Sequence, residues 1–340
     1  MKPTYAQSGV DVRAVKAMQG KINALIGSTS NAHTPDFLAG HYAGVFEAGG
    51  QKLTMHCDGV GSKVLVAQAL DKHDTVGIDA LAMNANDLIC VGSAPIVGVD
   101  DLALSHADAE LVDEILKGLV AGCKEAGVAL IGGETAILPD LIKGAADKKN
   151  PSRADYDLSM TVVGTLSGAP LTGRDLKAGD TLVGLASSGL HSNGFSLARK
   201  LLPASEWGEE MLVPTRLYVK PVLEMLSSHP SSIHGIAHIT GGAFSKLSRI
   251  GAHAHAGFEL TGMPEPQGAM AELAKKMNDA RESYRTFNMG VGLVIACEKG
   301  AEEHVMKTAK KHGTESSVIG RVTPKPGVAL LRGGKKISLL

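Results

Sequence analysis

A chain of 340 residues is longer than one hydrophobic core usually serves, and predicts two domains. Hydrophobic residues at 44% and charged residues at 20% are the proportions of an ordinary globular protein. The 34 basic and 35 acidic residues leave a formal charge of -1 and aromatics reach only 4%, which excludes the cationic excess or stacking platforms of a nucleic-acid or membrane-surface binder.

Strand-like and helix-like runs alternate along the chain, so an α/β (or α+β) fold is expected. "KLTMHCD" (52–58) reads as a strand, "VGIDALAMNANDLICVG" (76–92) as a helix and "APIVGVDDLAL" (94–104) as a strand again. "DAELVDEILKGLVAGCKEAG" (108–127) is an amphipathic helix, and "VALIGG" (128–133) a buried strand entering a loop. Residues 139–157 form a polar, charge-rich segment that is expected to be a mobile loop, followed by a strand at 158–166. The Gly, Pro and Asp of "SGAPLTGRDLKAGD" (167–180) mark a connection, so the domains are expected to be 1–168 and 169–340. The second unit predicts strands at 181–187, 234–239 and 291–297, with helices at 194–202, 215–227, 243–250 and 301–312. The cysteines Cys57, Cys90, Cys123 and Cys297 lack CxxC spacing and read as buried free thiols. "MKPTYAQSGVD" has no signal-peptide core and no stretch reaches transmembrane length, so a cytoplasmic location is expected.

The first stretch that carries chemistry is "HCDGVGSKVL" (56–65). It is not a Walker A loop, because Lys63 is followed by Val64, and G-x-G-x-x-G does not fit either. Gly59 and Gly61 can still offer backbone N–H groups to an anion. Asp58 would repel phosphate unless a divalent cation such as Mg²⁺ bridges the two, with Lys63 neutralising the remaining charge. A tight turn with a solvated aspartate is the plainer alternative.

The helix at 76–92 sharpens the choice. One face holds Leu81, Ala82, Ala85, Leu88 and Ile89; the other carries Asp79, Asn84, Asn86 and Asp87. A solvated face is normally stocked with Lys, Arg and Glu, and this helix contains none of them. Its polar side is therefore expected to face something other than bulk water, with Asn86 and Asp87 as candidate ligand contacts.

Three more loops follow. "LIGGETA" (130–136) sets Gly132, Gly133, Glu134 and Thr135 at the end of a strand, where α/β proteins place ligand contacts, although the glycines also suit a plain turn. In "SSGLHSNGFSLARKLL" (187–202), Ser192 or Asn193 can cap the next helix, whose amino terminus would attract an anion. "HITGGAFSKL" (238–247) repeats the device with Thr240 as cap before Gly241 and Gly242. Several such loops together suggest a protein that grips more than one phosphorylated group.

In chain order, "DGVGSK", "GIDALAMNANDLICVGSAP", "GGETAILP", "SSGLHSNGFSL", "AHITGGAF" and "YRTFNMGVG" resemble the phosphoribosylformylglycinamidine cyclo-ligase family, also called aminoimidazole ribonucleotide synthetases. "YAQSGVD" (5–11) is similar to that family's amino-terminal motif, so the resemblance spans nearly the whole chain. It implies the two-domain fold of that ATP-binding superfamily, with amino-terminal domains pairing in a homodimer. It also implies a ligase of purine biosynthesis that uses ATP and Mg²⁺ to close formylglycinamidine ribonucleotide into aminoimidazole ribonucleotide. By that similarity Asp58, Asp87 and Glu134 surround the metal–triphosphate. The loop at 188–194, with Ser188, Gly189, His191, Ser192 and Asn193, and the loop at 240–242 lie near the ribonucleotide. His191 and His238 are the histidines the motifs place best for moving a proton. His253 and His255 form an H-x-H pair without a visible third ligand, and Lys21 is a further possible phosphate contact.

The chain departs from the family pattern in places. "LAGHYAGVFE" (38–47) stands where "GGFGG" is common, Ile137 and Leu138 replace a Glu-Met pair, and Ala243 replaces a third glycine. Two rivals stay open: a sister enzyme such as a selenophosphate synthetase, which wants a reactive cysteine near the amino terminus, and a catalytically silent ATP-binding protein.

Overall fold

The computed structural model describes residues 6–9, 12–34 and 41–340, so parts of the motif at 5–11 and of the variant segment 38–47 lie outside the described residues. Helix α1 (Val12–Gly27) precedes a five-stranded sheet of β1 (Gly44–Ala48), β2 (Gln51–Gly59), β3 (Ala94–Leu104), β4 (Ala129–Ile137) and β5 (Tyr156–Leu166). The strands lie in the order β1-β2-β5-β3-β4. Between them run α2 (Val64–Leu70), α3 (Val76–Cys90) and α4 (Ala109–Ala126).

A second, seven-stranded sheet has the order β12-β11-β8-β10-β6-β9-β7. It comprises β6 (Thr181–Ala186), β7 (Ile233–His238), β8 (Gly257–Leu260), β9 (Val291–Cys297), β10 (Ser316–Thr323), β11 (Gly327–Arg332) and β12 (Lys335–Ser338). The helices of this half are α5 (Phe195–Leu201), α6 (Ala204–Leu212), α7 (Val219–Ser228), α8 (Leu247–Gly251), α9 (Gly268–Met277), α10 (Ala280–Thr286) and α11 (Glu302–Lys311). Among the described residues no helix is long and apolar enough to cross a membrane.

Among the described residues the first sheet is covered on one side only. On its inner face Thr54, Leu158, Met160 and Val162 are buried beneath α3, while Met55, Cys57 and Val99 point the other way and are exposed. That alternation is the period of two of a half-buried sheet. α3 and α4 pack close together because Gly77 and Gly118 carry no side chain; a Cβ on either would collide with the backbone of the facing helix or of the turn before α3.

Four expectations change here. Cys57 is exposed on the open face, whereas Cys90, Cys123 and Cys297 are buried as expected, and all four are free thiols. "LIGGETA" is not a loop: β4 runs through to Ile137 as an edge strand, and its residues are mostly exposed because no described residue covers its outer edge or the outer face of the sheet. The segment 139–157 is pinned in place. Ala145 N–H bonds Gln68 Oε1 at 2.8 Å, Lys148 pairs with Asp155 at 2.8 Å, and Arg153 bridges Asp108 and Glu114. The helix expected from 215 starts only at Val219, since Thr215 to Tyr218 are drawn into contacts with α3.

Candidate active site

The polar side of α3 faces the second domain, which it meets at β7 and α7. Of its fifteen residues only Ile78 is not buried. Asp79, Met83, Asn86 with Asp87, and Cys90 recur at helical spacing along this side.

At one end is a sealed ion pair. Lys63 and Asp79 are both fully buried, with Lys63 Nζ 2.8 Å from Asp79 Oδ2. The same ammonium donates to the Val213 carbonyl at 2.8 Å, and Thr215 donates to Asp79 through both its amide and its hydroxyl. Burial pulls the Lys63 pKa down, and Asp79 opposes that pull. All of the strong partners are internal, so the structure places Lys63, expected to contact phosphate, in the seam between the domains instead. Asn86 has the same office. Its amide donates to the Arg216 carbonyl at 2.9 Å and accepts from Tyr218 N–H at 3.0 Å.

About two helical turns from Asp79, the groups are less fully paired. Asp87 accepts from His238 Nδ1 at 2.7 Å, while its other oxygen lies 3.5 Å from His56 Nε2. His56 Nδ1 is 3.0 Å from Asn84 Oδ1, and Asn84 donates to the Asp58 carbonyl at 3.1 Å. Burial pushes the Asp87 pKa up, but the hydrogen bond and charge of His238, with His56 and Lys246, outweigh it and hold the carboxylate ionised. Asp58, half-buried at the end of β2, goes the other way. Burial raises its pKa and the neighbouring Asp87 adds to the rise, against the pull of the Gly59 N–H, His56 and Lys246.

Asp58 and Asp87 thus come together at one place. Glu134 does not join them within one chain. Asp58 lies on the inner face of β2, whereas Glu134 pairs with Asp101 on the outer face of β4, three strand spacings away or roughly 14 Å. Gly132, Gly133 and Thr135 go with it on that strand. Among the described residues no three His, Cys, Asp or Glu side chains converge as a ready cage for a metal. The donor chemistry nevertheless suits Mg²⁺ at two points: one oxygen of Asp58 is not used by Gly59, and one of Asp87 is not used by His238.

The second domain brings its loops to the same helix. Gly59 and Gly61 lead from β2 into a short turn of helix ending at Lys63, and Gly61 needs its positive φ of 70° for that turn. Asn193 donates to Met83 Sδ at 3.7 Å and lies against Gly241, so the loops at 188–194 and 240–242 meet over α3. Ser192 sits 3.4 Å from the Thr215 hydroxyl, Ser188 donates to the Pro214 carbonyl, and Gly189 accepts from Asn288. The caps differ from expectation: Gly194 and Gly242 occupy the N-cap positions and no side chain caps either turn. Thr240 contributes its carbonyl to Ala243 N–H instead, and Ala243 takes a left-handed φ of 43° that a third glycine would adopt without strain.

Both motif histidines are buried. His238 is 0% exposed and spends Nδ1 on Asp87, with Asn86 Nδ2 at 3.5 Å from its other nitrogen, so it orients the carboxylate. His191 accepts from Ser188 N–H at 3.2 Å, and its Nδ1 has no partner among the described residues. Burial, with His238, Lys63 and Arg216 nearby, drives its pKa well down, so the ring is neutral. Lys21 is exposed on α1. His253 lies with its ring 6.3 Å from that of His41, and no metal-binding cluster forms there among the described residues.

Two contributors were not picked out from the sequence. His56 precedes Asp58 by two residues and so shares its strand face, a signal that period-two reasoning could have found. Lys246 ends the turn after Gly242 and was read only as part of a capped loop.

Comparison with known proteins agrees with this architecture. Residues 40–166 match the family "AIR synthase related protein, N-terminal domain", and residues 177–332 match its C-terminal domain. A phosphoribosylformylglycinamidine cyclo-ligase of Methanocaldococcus jannaschii is 42% identical, covering 94% of this chain and 92% of that protein. One from Pyrococcus furiosus is 40% identical, covering 98% and 99%. The chain belongs to the phosphoribosylformylglycinamidine cyclo-ligase family. Its fold is shared more widely. HypE in a HypE–HypF complex superposes with a TM-score of 0.68 at 17% identity, covering 93% of this chain and 97% of that one. A thiamine-monophosphate kinase from Stenotrophomonas maltophilia gives 0.63 at 18%, covering 88% and 91%.

Proposed function

We infer that this family member is a ligase of purine biosynthesis that closes formylglycinamidine ribonucleotide into aminoimidazole ribonucleotide, consuming ATP and releasing ADP and phosphate. The observation that carries the reading is the meeting, on one face of α3, of Asp58 and Asp87 with the Asn193 and Gly241 loops of the other domain. The relatives at about 40% identity support it, and they weigh against a selenophosphate synthetase. The retained acidic pair weighs against a silent nucleotide binder.

Ring closure needs an amidine nitrogen to attack a formamide carbon and expel its oxygen, and oxide is a hopeless leaving group. Phosphorylating that oxygen first turns it into a good one. The protein's task is therefore alignment of the γ-phosphate with the formyl oxygen and compensation of charge. Mg²⁺, held by Asp58 and the oxygen of Asp87 that faces His56, would supply much of that compensation. His238 fixes Asp87 in place through its 2.7 Å bond, and Asn193 with Gly241 lines the ribonucleotide side.

A second copy of the chain completes the assembly in this reading. The uncovered outer face of the first sheet, with Met55, Val99 and the exposed Ile96 and Ile131 beside its bulges, is the surface we assign to a homodimer. We place the domain boundary near residue 168, between the last strand of one sheet and the first of the next, and the enzyme in the cytoplasm, in keeping with its free thiols. The test is direct: incubate the purified protein with MgATP and formylglycinamidine ribonucleotide, and assay the diazotisable aminoimidazole against ADP. One product per ADP is expected. ATP consumed without aminoimidazole, or no consumption, would contradict the assignment.

A further inference from the structure

Lys246 stands at the end of the helical turn that follows Gly242 and directly before α8. It belongs to the second domain, and the segment that leads to it reaches the first: His238 bonds Asp87 at 2.7 Å, and Gly241 lies against Asn193, which donates to Met83 of α3. Lys246 forms an ion pair with neither Asp58 nor Asp87, and no hydrogen bond to its ammonium is present among the described residues. Lys63, by contrast, is saturated by Asp79 and Val213. Burial and the nearby Arg249 draw the Lys246 pKa down to about 8, while the two carboxylates pull it back up. A half-buried ammonium on that segment, with no hydrogen bond or ion pair of its own among the described residues, is available to an anion bound at the junction. Anion oxygens on its side and a cation on the carboxylates' side would complete an alternating series of charges.

We propose that Lys246 contacts the phosphoryl group as it passes from the nucleotide to the ribonucleotide, as a catalytic residue of the reaction inferred above. The proposal rests on that reading of the activity. The acidic pair comes from the first domain and the ribonucleotide loops from the second, so the transferring group has to lie at their junction, where Lys246 is. In the transfer, the bond from the γ-phosphorus to the β–γ bridging oxygen breaks and a bond to the formyl oxygen forms. The amidine nitrogen then bonds to the formyl carbon and loses a proton to solvent, while the C–O bond breaks and phosphate leaves with its electron pair. Lys246 keeps its proton throughout and offsets the charge of the phosphoryl oxygens.

Binding without turnover provides the test. MgADP and the magnesium complex of adenylyl imidodiphosphate, which carries a non-transferable γ-phosphoryl, are titrated by calorimetry into the wild type, Lys246→Ala and Lys246→Arg. Loss of one charge-assisted contact should weaken the triphosphate analogue about tenfold in Lys246→Ala while MgADP stays within about twofold, and Lys246→Arg should recover most of the difference. Equal loss for both nucleotides would mark a merely structural lysine, and no loss for either would remove it from the site; both overturn the proposal. Should Lys246→Ala fail to fold, Lys246→Gln is read in the same way. Product formation by the unaltered enzyme is measured separately, so the activity and the Lys246 contact can fail independently.

Discussion

Two clusters on the same side of α3 differ in one respect. At the Asp79 end the charges are paired inside the chain: Lys63 with Asp79 and the Val213 carbonyl, Thr215 with Asp79, while Asn86 adds two bonds across the seam. At the Asp87 end the pairing is incomplete: a carboxylate has its pKa pushed up and, among the described residues, the Lys246 ammonium has no bond and buried histidine nitrogens have no partners. Buried polar groups that are saturated hold a structure together. Those left short are stable only because something else completes them, or because a function repays the cost.

The sharpest way to break this contrast is at its saturated end. Lys63→Met leaves Asp79 buried without its counter-charge, and should cost about 3–5 kcal/mol of stability, seen as a lower denaturant midpoint. If the variant instead unfolds like the wild type but loses nucleotide affinity, Lys63 belongs to the site and the division between the clusters is wrong. At the open end, Asp87→Asn should keep the midpoint close to wild type and lower kcat by roughly 10²–10³, because the side chain that His238 holds in place loses its charge at the junction. Wild-type turnover in that variant would remove Asp87 from the chemistry.

A smaller effect concerns His41, which stands in the variant segment and is packed near His253, Arg249 and the Thr172 backbone. Burial lowers its pKa to about 4, helped by His253 and Arg249 and opposed by the Thr172 backbone and Asp87. The unfolded chain therefore binds a proton between pH 6.5 and 4 that the folded chain refuses, and stability falls as pH drops through that window. Denaturant titrations of His41→Gln should show an acid loss smaller than wild type by about 3 kcal/mol at pH 4, and no difference attributable to this group above pH 7. Parallel acid curves for the two proteins would show that this imidazole is not held neutral.

Much of this was legible in the residues. The absence of Lys, Arg and Glu from α3 correctly signalled a side turned away from water, and the strands at 52–58 and 94–104 lie where alternation and apolar runs put them. What periodicity does not disclose is the identity of the facing surface. Asp79 and Asn86 met the second domain, and only the neighbourhood of Asp87 stayed open. Glu134 shows a different limit: a residue on a strand lies on one face or the other by a single step of register, and bulges in β3 shift that step. His191 and His238 sit in the expected motifs, but burial depends on long-range packing that no local pattern carries. Lys246 was visible all along, four residues after Gly242, and its meaning depended on carboxylates far earlier in the sequence, at positions 58 and 87.

The most direct single measurement pairs affinity with stability in Asp58→Asn. Removing a carboxylate that burial and Asp87 already disfavour should leave the thermal midpoint unchanged or higher. The same change should weaken MgADP, titrated by calorimetry, about tenfold or more, because a ligand of the bridging cation is gone. A lower midpoint with MgADP affinity intact would mean that Asp58 serves the fold and that the open cluster does not receive the nucleotide.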